Sequence, residues 1–157
     1  MQESSRDIIM KYIFFIAFIC ISFFEKPIYG ETLVLEVNHL RSLKGNLMVY
    51  LWDNPDQYLM KSGANYSLVV DLEKPENAPI NGLIHIKIDD LNKGPYAMMV
   101  YHDENRSYEF ERNFVGIPME GFAFGNNARP NLGAPKFQEA AINLTGAGAI
   151  QHINILY

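Results

Sequence analysis

The chain has 157 residues and a formal net charge of −5, which is enough for one domain and hardly for two. Beyond residue 30 the basic residues occur singly, without the basic stripe typical of nucleic-acid binding, so nucleic acid is excluded as an expected partner. The one cysteine, Cys20, lies in an apolar N-terminal stretch, so the rest of the chain has no disulfide, thiol catalysis or cysteine-ligated metal.

The N-terminal 30 residues have the pattern of a signal peptide. Arg6 and Lys11 precede the apolar run IFFIAFICISFF, residues 13–24, which is shorter than the roughly 20 residues that a membrane-spanning helix needs. A basic start, a short apolar run and a small residue to cut after predict removal of residues 1–30, with cleavage after Gly30. The protein is then exported, periplasmic or secreted, with no membrane span after cleavage. The alternative is a short anchor that stays attached.

Residues 31–157 read as the short strands of a single domain. In LIHIKIDDL, Ile84, Ile86 and Ile88 alternate with polar residues, and a period of two indicates a strand with one buried and one wet face. The other segments of this character are TLVLEV (32–37), NLMVYLW (46–52), SLVVDL (67–72), YAMMVYHD (96–103) and IQHINILY (150–157). Several such strands separated by turn residues predict an all-β fold, an antiparallel β-sandwich.

Two segments between the strands predict short helices. In NPDQYLMKSG, Asn54 can cap the helix, Pro55 takes its first position and Gly63 ends it. In PKFQEAA, Pro135 opens a second helix of one or two turns.

The stretch 106–136 holds four glycines, three prolines and four phenylalanines without a clear period. Structureless loops beyond about 15 residues are uncommon and often functional, so we predict a long ordered loop that folds back on the sandwich.

Three motifs in the second half of the chain resemble a bacterial family. GPYAMMVYHDEN, GIPMEGFAFGNNA and APKFQEAAINL follow one another in this order. They resemble the pattern of the domain-of-unknown-function family DUF2141, and the resemblance is dense over about residues 91–144. It implies an exported bacterial domain whose β-sandwich is immunoglobulin-like or transthyretin-like, and it implies no activity.

The same resemblance implies a cation site in the acidic loop after the HDEN motif. The family's loop often reads HDENGNGKLD, which is similar to a calcium loop, and the corresponding oxygen ligands here are Asp103, Asn105 and Glu111. Arg106 and Tyr108 stand where the family has glycine, which puts the tight turn and the local charge in doubt. The alternative is a β-turn in which Asp103 and Asn105 bond their own backbone.

The other motif residues are predicted to shape the loop. His102 anchors it by hydrogen bonds, Pro118 and the glycines fix a turn, and Glu120 bonds the amides of the GNNA stretch. The asparagines of that stretch tolerate left-handed geometry. The complete loop-defining set is His102, Glu104, Gly116, Pro118, Glu120, Gly121, Asn126 and Asn127.

The function favoured by these observations is a non-catalytic binding or interaction module. Its surface is the loop of residues 103–127, and its partner is a glycan, a peptide or another envelope protein. Phe122 and Phe124 are core residues more often than ligand platforms, but together with Trp52 they are the candidate ligand contacts.

Two other functions stay open. A hydrolase using Asp103, Glu104 or Glu120 requires a carboxylate with a raised pKa inside a concave pocket. A purely structural envelope protein requires no ligand at all.

Overall fold

The computed structural model describes residues 30–157, which form two packed β-sheets. The predicted signal peptide, apart from Gly30, lies outside the described residues. Within residues 30–157 no helix is long and apolar enough to cross a membrane. The strands are β1 (Glu31–Asn38), β2 (Asn46–Trp52), β3 (Tyr66–Asp71), β4 (Ile84–Leu91), β5 (Gly94–Asp103), β6 (Gly121–Phe124), β7 (Ala141–Leu144) and β8 (Ala149–Asn154).

The smaller sheet has three strands in the order β4-β1-β8. Strand β1 pairs antiparallel with β4 and parallel with β8. Buried residues alternate with more exposed ones along β1 and most of β4, so this sheet has one wet face, as the period of two predicts. The predicted antiparallel sandwich is confirmed, with the difference that β8 runs parallel to β1. Because the chain reaches β8 from the other sheet, no hairpin forces β8 to run antiparallel to β1.

The larger sheet has five strands centred on β2 and β5, in the order β3-β2-β5-β6. Strand β7 also pairs with β5, on residues Gly94–Ala97, whereas β6 pairs with residues Met99–His102. The long strand β5 therefore carries two short strands one after the other.

Two apolar cores hold the fold together. The first lies between the sheets and includes Leu35, Val49 and Ile86. The second covers the outer face of the larger sheet, where Tyr50 and Trp52 of β2 contact residues of the later segments. Strand β2 is buried at all of its positions as a result. All strands and both cores lie within residues 31–157, so this part of the chain holds every packing contact of the sandwich described here.

The two predicted helices have different outcomes. The second is present as α1 (Phe137–Ala140), and the backbone N–H of Lys136 donates to Glu139 Oε2 over 2.6 Å at its start. The first is wrong as a continuous helix. Asn54 caps as predicted, but the segment forms two 3₁₀ turns, Pro55–Gln57 and Lys61–Gly63. Leu59 between them has φ of +67°, which no right-handed helix accommodates.

The predicted long loop, residues 106–136, is more structured than the sequence suggests. It contains β6 and a 3₁₀ turn, Gly125–Asn127. Its folding back onto the sandwich agrees with the prediction, since Phe110, Phe122 and Phe124 pack in the second core. The segment therefore covers a face of the larger sheet that would otherwise be exposed.

Candidate functional site

The acidic loop, which we define as residues 103–111, is held closed by its first residue. Asp103 is fully buried, and its Oδ1 and Oδ2 accept hydrogen bonds from the backbone N–H groups of Ser107 and Tyr108, each over 2.9 Å. Asn105 Oδ1 accepts a further bond from Ser107 N over 3.1 Å. The Asp103 carboxylate thus satisfies the backbone of its own turn, as in other Asx turns.

The predicted calcium ligands fit this turn better than they fit a metal ion. Asn105 Nδ2 donates to Glu111 Oε2 over 2.8 Å, while both oxygens of Asp103 are taken up by backbone amides. Within residues 30–157, no three side chains of His, Cys, Asp or Glu are grouped so as to hold a metal ion. Calcium takes about six to eight oxygen ligands, so the calcium site stays a prediction to which this geometry lends no support.

The residues that replace the family's glycines keep a glycine-like backbone. Arg106 and Tyr108 have φ of +59° and +60°, a left-handed conformation that costs an L-residue about 1–2 kcal/mol. The Arg106 side chain does not place its charge inside the loop, since Nη2 lies 2.9 Å from Asp71 and 3.3 Å from Glu73. The hydrogen bond from Arg106 lowers the pKa of Asp71. Arg106 therefore ties the acidic loop to the end of β3.

Glu104 is bound to the connection between β1 and β2. Its Oε2 accepts hydrogen bonds from Nε and Nη2 of Arg41, the former over 2.9 Å, and its Oε1 accepts from Ser42 Oγ over 2.6 Å. The bond from Arg41 above all, and then the one from Ser42, lowers the pKa of Glu104 to about 2. Glu104 is consequently ionised at neutral pH and is already paired.

His102 links β5 to two distant segments. The ring is fully buried, and Nε2 lies 2.8 Å from the carbonyl oxygen of Lys44. Since a carbonyl only accepts, Nε2 carries the proton, and Nδ1 accepts from the Tyr157 hydroxyl over 2.7 Å. The Tyr157 ring also packs over Gly121, where a Cβ would lie 2.4 Å from Cε1. A side chain at Gly121 would therefore displace the ring that holds His102.

Glu120 is the one carboxylate of the predicted hydrolase set whose pKa rises. It is 7% exposed; Oε2 accepts a long bond of 3.4 Å from Glu111 N, and Oε1 has no partner among the described residues. Burial, and after it the charges of Asp103, Glu111 and Glu104, raises the pKa of Glu120 to about 7. The predicted bonds from Glu120 to the GNNA amides are absent here. The Glu120 side chain is directed instead towards Glu111, at the start of the hairpin that precedes it.

Residues 111–119 form that hairpin, which we call the tip hairpin. Arg112 and Pro118 are bridged across it, Asn113 N donates to Ile117 O over 2.9 Å, and Gly116 N donates to Asn113 O over 2.8 Å. Gly116 has φ of +85°, a conformation that glycine adopts freely. Gly116 and Pro118, both predicted to fix a turn, thus lie in this hairpin, whereas Gly121, predicted to do the same, is the first residue of β6.

Asn126 and Asn127 fasten the segment after β6. Both have the predicted left-handed backbone, with φ of +56° and +50°. Asn126 Nδ2 donates to Ala141 O over 2.7 Å, and Asn127 bonds both His152 O over 2.7 Å and Asn154 N over 2.8 Å. These amides attach the segment to β7 and β8.

A groove runs over the outer face of the larger sheet. It consists of two adjoining cavities of about 240 and 640 Å³ that share the residues Phe110, Arg112, Phe124 and Ala134. The smaller cavity lies against Tyr50, Trp52, Met99 and Tyr101 of the sheet. The larger lies between the tip hairpin and residues 130–134. Its lining is mainly apolar with a few charged groups at the edge, the composition typical of a ligand site.

The candidate ligand contacts border the groove to different extents. Phe124 borders both cavities and Phe122 the larger one. Trp52 borders the smaller cavity but is only 2% exposed, and its Nε1 donates to Met60 O over 2.9 Å. Its ring is therefore part of the core below the groove and offers no free face for stacking. The sequence pattern of β2, in which Trp52 falls opposite the inter-sheet core, does not reveal that a second core covers it.

The three carboxylates of the hydrolase hypothesis lie away from these two cavities. Neither is lined by Asp103, Glu104 or Glu120. The charged groups that do border the groove are Arg112, together with Lys61 and Glu109, which pair with each other over 2.7 Å.

The exposed apolar side chains of the tip hairpin and of the turn at Leu132 were not predicted from the sequence. Phe114 is 100% exposed and Leu132 107%, and Val115, Ile117 and Met119 are each more than half exposed. The signal available in the sequence was their place in turn-forming stretches, NFVGIP and RPNLGAP, where apolar side chains have little to pack on.

The comparisons with known proteins give a family and no activity. The family model described as an uncharacterised protein conserved in bacteria, DUF2141, matches residues 35–152. No curated protein and no solved structure matches the chain.

Proposed function

The chain belongs to the DUF2141 family of proteins conserved in bacteria, whose description assigns no activity, and we propose from the geometry of the groove that it is a non-catalytic binding module that acts after export. Its ligand has an apolar body and occupies the groove over the outer face of the larger sheet. The 103–127 segment contributes one wall of this site, and residues 130–134 contribute the other.

The observation that carries this proposal is that the two cavities adjoin. Phe110, Arg112, Phe124 and Ala134 line both of them, so a ligand bound between the tip hairpin and residues 130–134 lies next to the cavity over Tyr50 and Tyr101. Transfer of apolar surface from water into such a groove is favourable by about 25 cal/mol per Å².

The carboxylates favour binding over hydrolysis. A hydrolase needs a carboxylate of raised pKa within the pocket that holds the substrate. Glu120 has the raised pKa but borders neither cavity, and Glu104 and Asp103 are bonded to Arg41 and to the backbone of the acidic loop. A purely structural protein is less well supported, since it would have no use for an open groove of this size.

The test is binding of an apolar fluorescent probe, 1-N-phenylnaphthylamine, to the wild-type protein and to Ala134→Phe. Ala134 is exposed and lines both cavities, so an added ring takes up space where they adjoin, with little effect on the core. The matched control is Ala147→Phe, in the exposed turn between β7 and β8.

We expect the wild-type protein and the Ala147→Phe variant to bind the probe alike, and the Ala134→Phe variant to bind at least tenfold more weakly. Absence of probe binding by the wild-type protein, or equal binding by the Ala134→Phe variant, would refute the groove as the site.

A further inference from the structure

Two exposed turns near the groove, which we call the tips, each carry a large apolar side chain. The first is the end of the tip hairpin with Phe114, and the second is the turn with Leu132; both side chains are fully exposed. Val115 and Ile117 of the tip hairpin line the same cavity as Leu132, so the two tips lie on either side of this cavity. Apolar side chains exposed in contiguous groups mark sites where a protein meets another apolar phase.

Much of the backbone of the tip hairpin is bonded within the hairpin. Asn113 Oδ1 accepts from Val115 N over 3.1 Å and from Ile117 N over 2.9 Å, and Gly116 N donates to Asn113 O over 2.8 Å. Arg112 Nη1 donates to Gly116 O over 3.1 Å. Backbone groups that enter hydrocarbon without a partner are costly, so these bonds reduce the cost of placing an irregular turn in a lipid interface.

The exposed charged groups within the stretch that carries the tips are basic, although the complete chain has a net charge of −5. These groups are Arg112, Arg129 and Lys136; the acidic residue of the stretch, Glu120, is 7% exposed, and Glu109, Glu111 and Glu139 flank it. Arg112 lines the larger cavity together with Leu132, and Arg129 directly precedes the lining residues 130–134. Cationic groups therefore lie beside the apolar tips, an arrangement that is complementary to anionic headgroups.

We propose that Phe114 and Leu132 insert into an anionic phospholipid surface, with Arg112, Arg129 and Lys136 against the headgroups. A fluid bilayer accommodates protruding side chains of any shape, whereas a protein partner needs a matching recess for each of them. The docked orientation turns the mouth of the groove towards the lipid. This inference goes beyond ligand binding in the groove and does not require it.

The experiment is co-sedimentation of residues 30–157 with vesicles of equal parts phosphatidylglycerol and phosphatidylcholine, and with vesicles of phosphatidylcholine alone. This part of the chain contains both sheets and both cores, and its use keeps the apolar stretch 13–24 from adding an affinity of its own. We expect binding to the anionic vesicles that weakens with added salt, since the headgroup attraction is screened.

The variants are Phe114→Ser, Leu132→Ser and the matched control Ile150→Ser. Ile150 is 60% exposed on the outer face of the smaller sheet, away from the tips. Each tip variant is expected to lower the vesicle partition coefficient at least tenfold, because serine lacks the apolar area that phenylalanine or leucine buries in the bilayer. The control should bind as the wild-type protein does, and the melting temperatures of all three variants should stay close to the wild-type value, since these side chains have few contacts to lose.

Three results would overturn the proposal: no sedimentation of the wild-type protein with anionic vesicles, equal binding by the tip variants, or a wild-type dimer in analytical ultracentrifugation that Phe114→Ser converts to a monomer. The last would mean that a second copy covers the tips. Because Phe114 borders neither cavity of the groove, the Phe114→Ser variant should still bind 1-N-phenylnaphthylamine. Failure of lipid docking is thereby distinguished from failure of the groove.

Discussion

Replacement of Glu120 by glutamine should make the protein more stable at pH 8 and change its dependence on pH. Burial raises the pKa of Glu120 from 4.5 to about 7. The native state therefore holds this proton over a range where the unfolded chain has released it, and the free energy of unfolding falls as the pH rises from about 4.5 to about 7. Below that range both states are protonated and Glu120 contributes nothing.

The size of the effect follows from the two pKa values. One pKa unit corresponds to about 1.4 kcal/mol, so the ionised native carboxylate costs up to about 3 kcal/mol. The side chain is only 7% exposed, so solvent screening reduces this little. A glutamine oxygen can keep the bond from Glu111 N, but the amide donors enter a buried space, which offsets part of the gain. We expect a net stabilisation of about 1–2 kcal/mol at pH 8.

Glu104→Gln is the matched control, because its pKa is shifted the other way. The bonds from Arg41 and Ser42 lower the pKa of Glu104 from 4.5 to about 2, so its stabilisation is present above pH 4.5 and is lost as the pH falls towards 2. Glu104→Gln should destabilise the protein by about 1–2 kcal/mol at neutral pH, a value that allows for the exposure of Arg41. It should leave most of the decline between pH 4.5 and 7 intact, because burial is the main cause of the raised pKa of Glu120 and the charge of Glu104 is the last of the charges that add to it.

The assay is urea unfolding at pH 5 and pH 8, followed by the fluorescence of Trp52, which is the only tryptophan and lies in the second core. The wild-type protein should lose about 2–3 kcal/mol between the two pH values through Glu120, and Glu120→Gln should lose far less. The reasoning would be refuted if the two proteins showed the same difference between pH 5 and pH 8, since Glu120 would then be solvated in the native state.

Three further predictions concern the acidic loop and the residues that hold it in place. Tyr157→Phe should lower the free energy of unfolding by about 1–3 kcal/mol, because it leaves the buried Nδ1 of His102 without a partner; an unchanged urea midpoint would contradict the hydrogen bond between the two side chains. Tyr108→Gly should raise the melting temperature, because relief of left-handed strain of about 1–2 kcal/mol exceeds the entropy cost of glycine. Ser107→Gly, which relieves no such strain, should lower it. Calcium or a chelator should leave the melting temperature unchanged, whereas a calcium shift abolished by Asp103→Ala would establish the cation site, since an ion at 100 times its dissociation constant adds about 2.7 kcal/mol.

The strands were predictable wherever one face of a sheet is wet. In β4 the alternation of isoleucines with polar residues is visible in the sequence and agrees with the observed burial. Strand β2 has no such contrast, because all of its residues are buried. Its second cover comes from Phe124, Phe137 and other residues far along the chain, and a local pattern does not contain that information.

The site was harder to predict because its residues come from separate segments. The acidic loop is compact in sequence, so the bonds of Asp103 and Asn105 to the adjacent backbone were among the alternatives considered. The groove is lined from β2, β5, β6, the tip hairpin and residues 130–134, and only the fold brings these together.

The helix expected at residues 54–63 is absent because the segment makes a contact outside its own sequence. Trp52 Nε1 donates to Met60 O, and this contact, together with the left-handed Leu59, is formed in place of a regular helix.

The loop of residues 103–127 therefore divides into a fixed base and an exposed end. At the base, Asp103 closes its own turn and Arg106 bonds the end of β3. Glu111 then joins this base to the tip hairpin, because its side chain accepts from Asn105 and its N–H donates to Glu120. The strongly shifted carboxylates lie in this base, while the apolar end that faces solvent carries none. Charge at the base thus holds the hairpin in position, whereas the exposed end presents mainly apolar side chains together with Arg112.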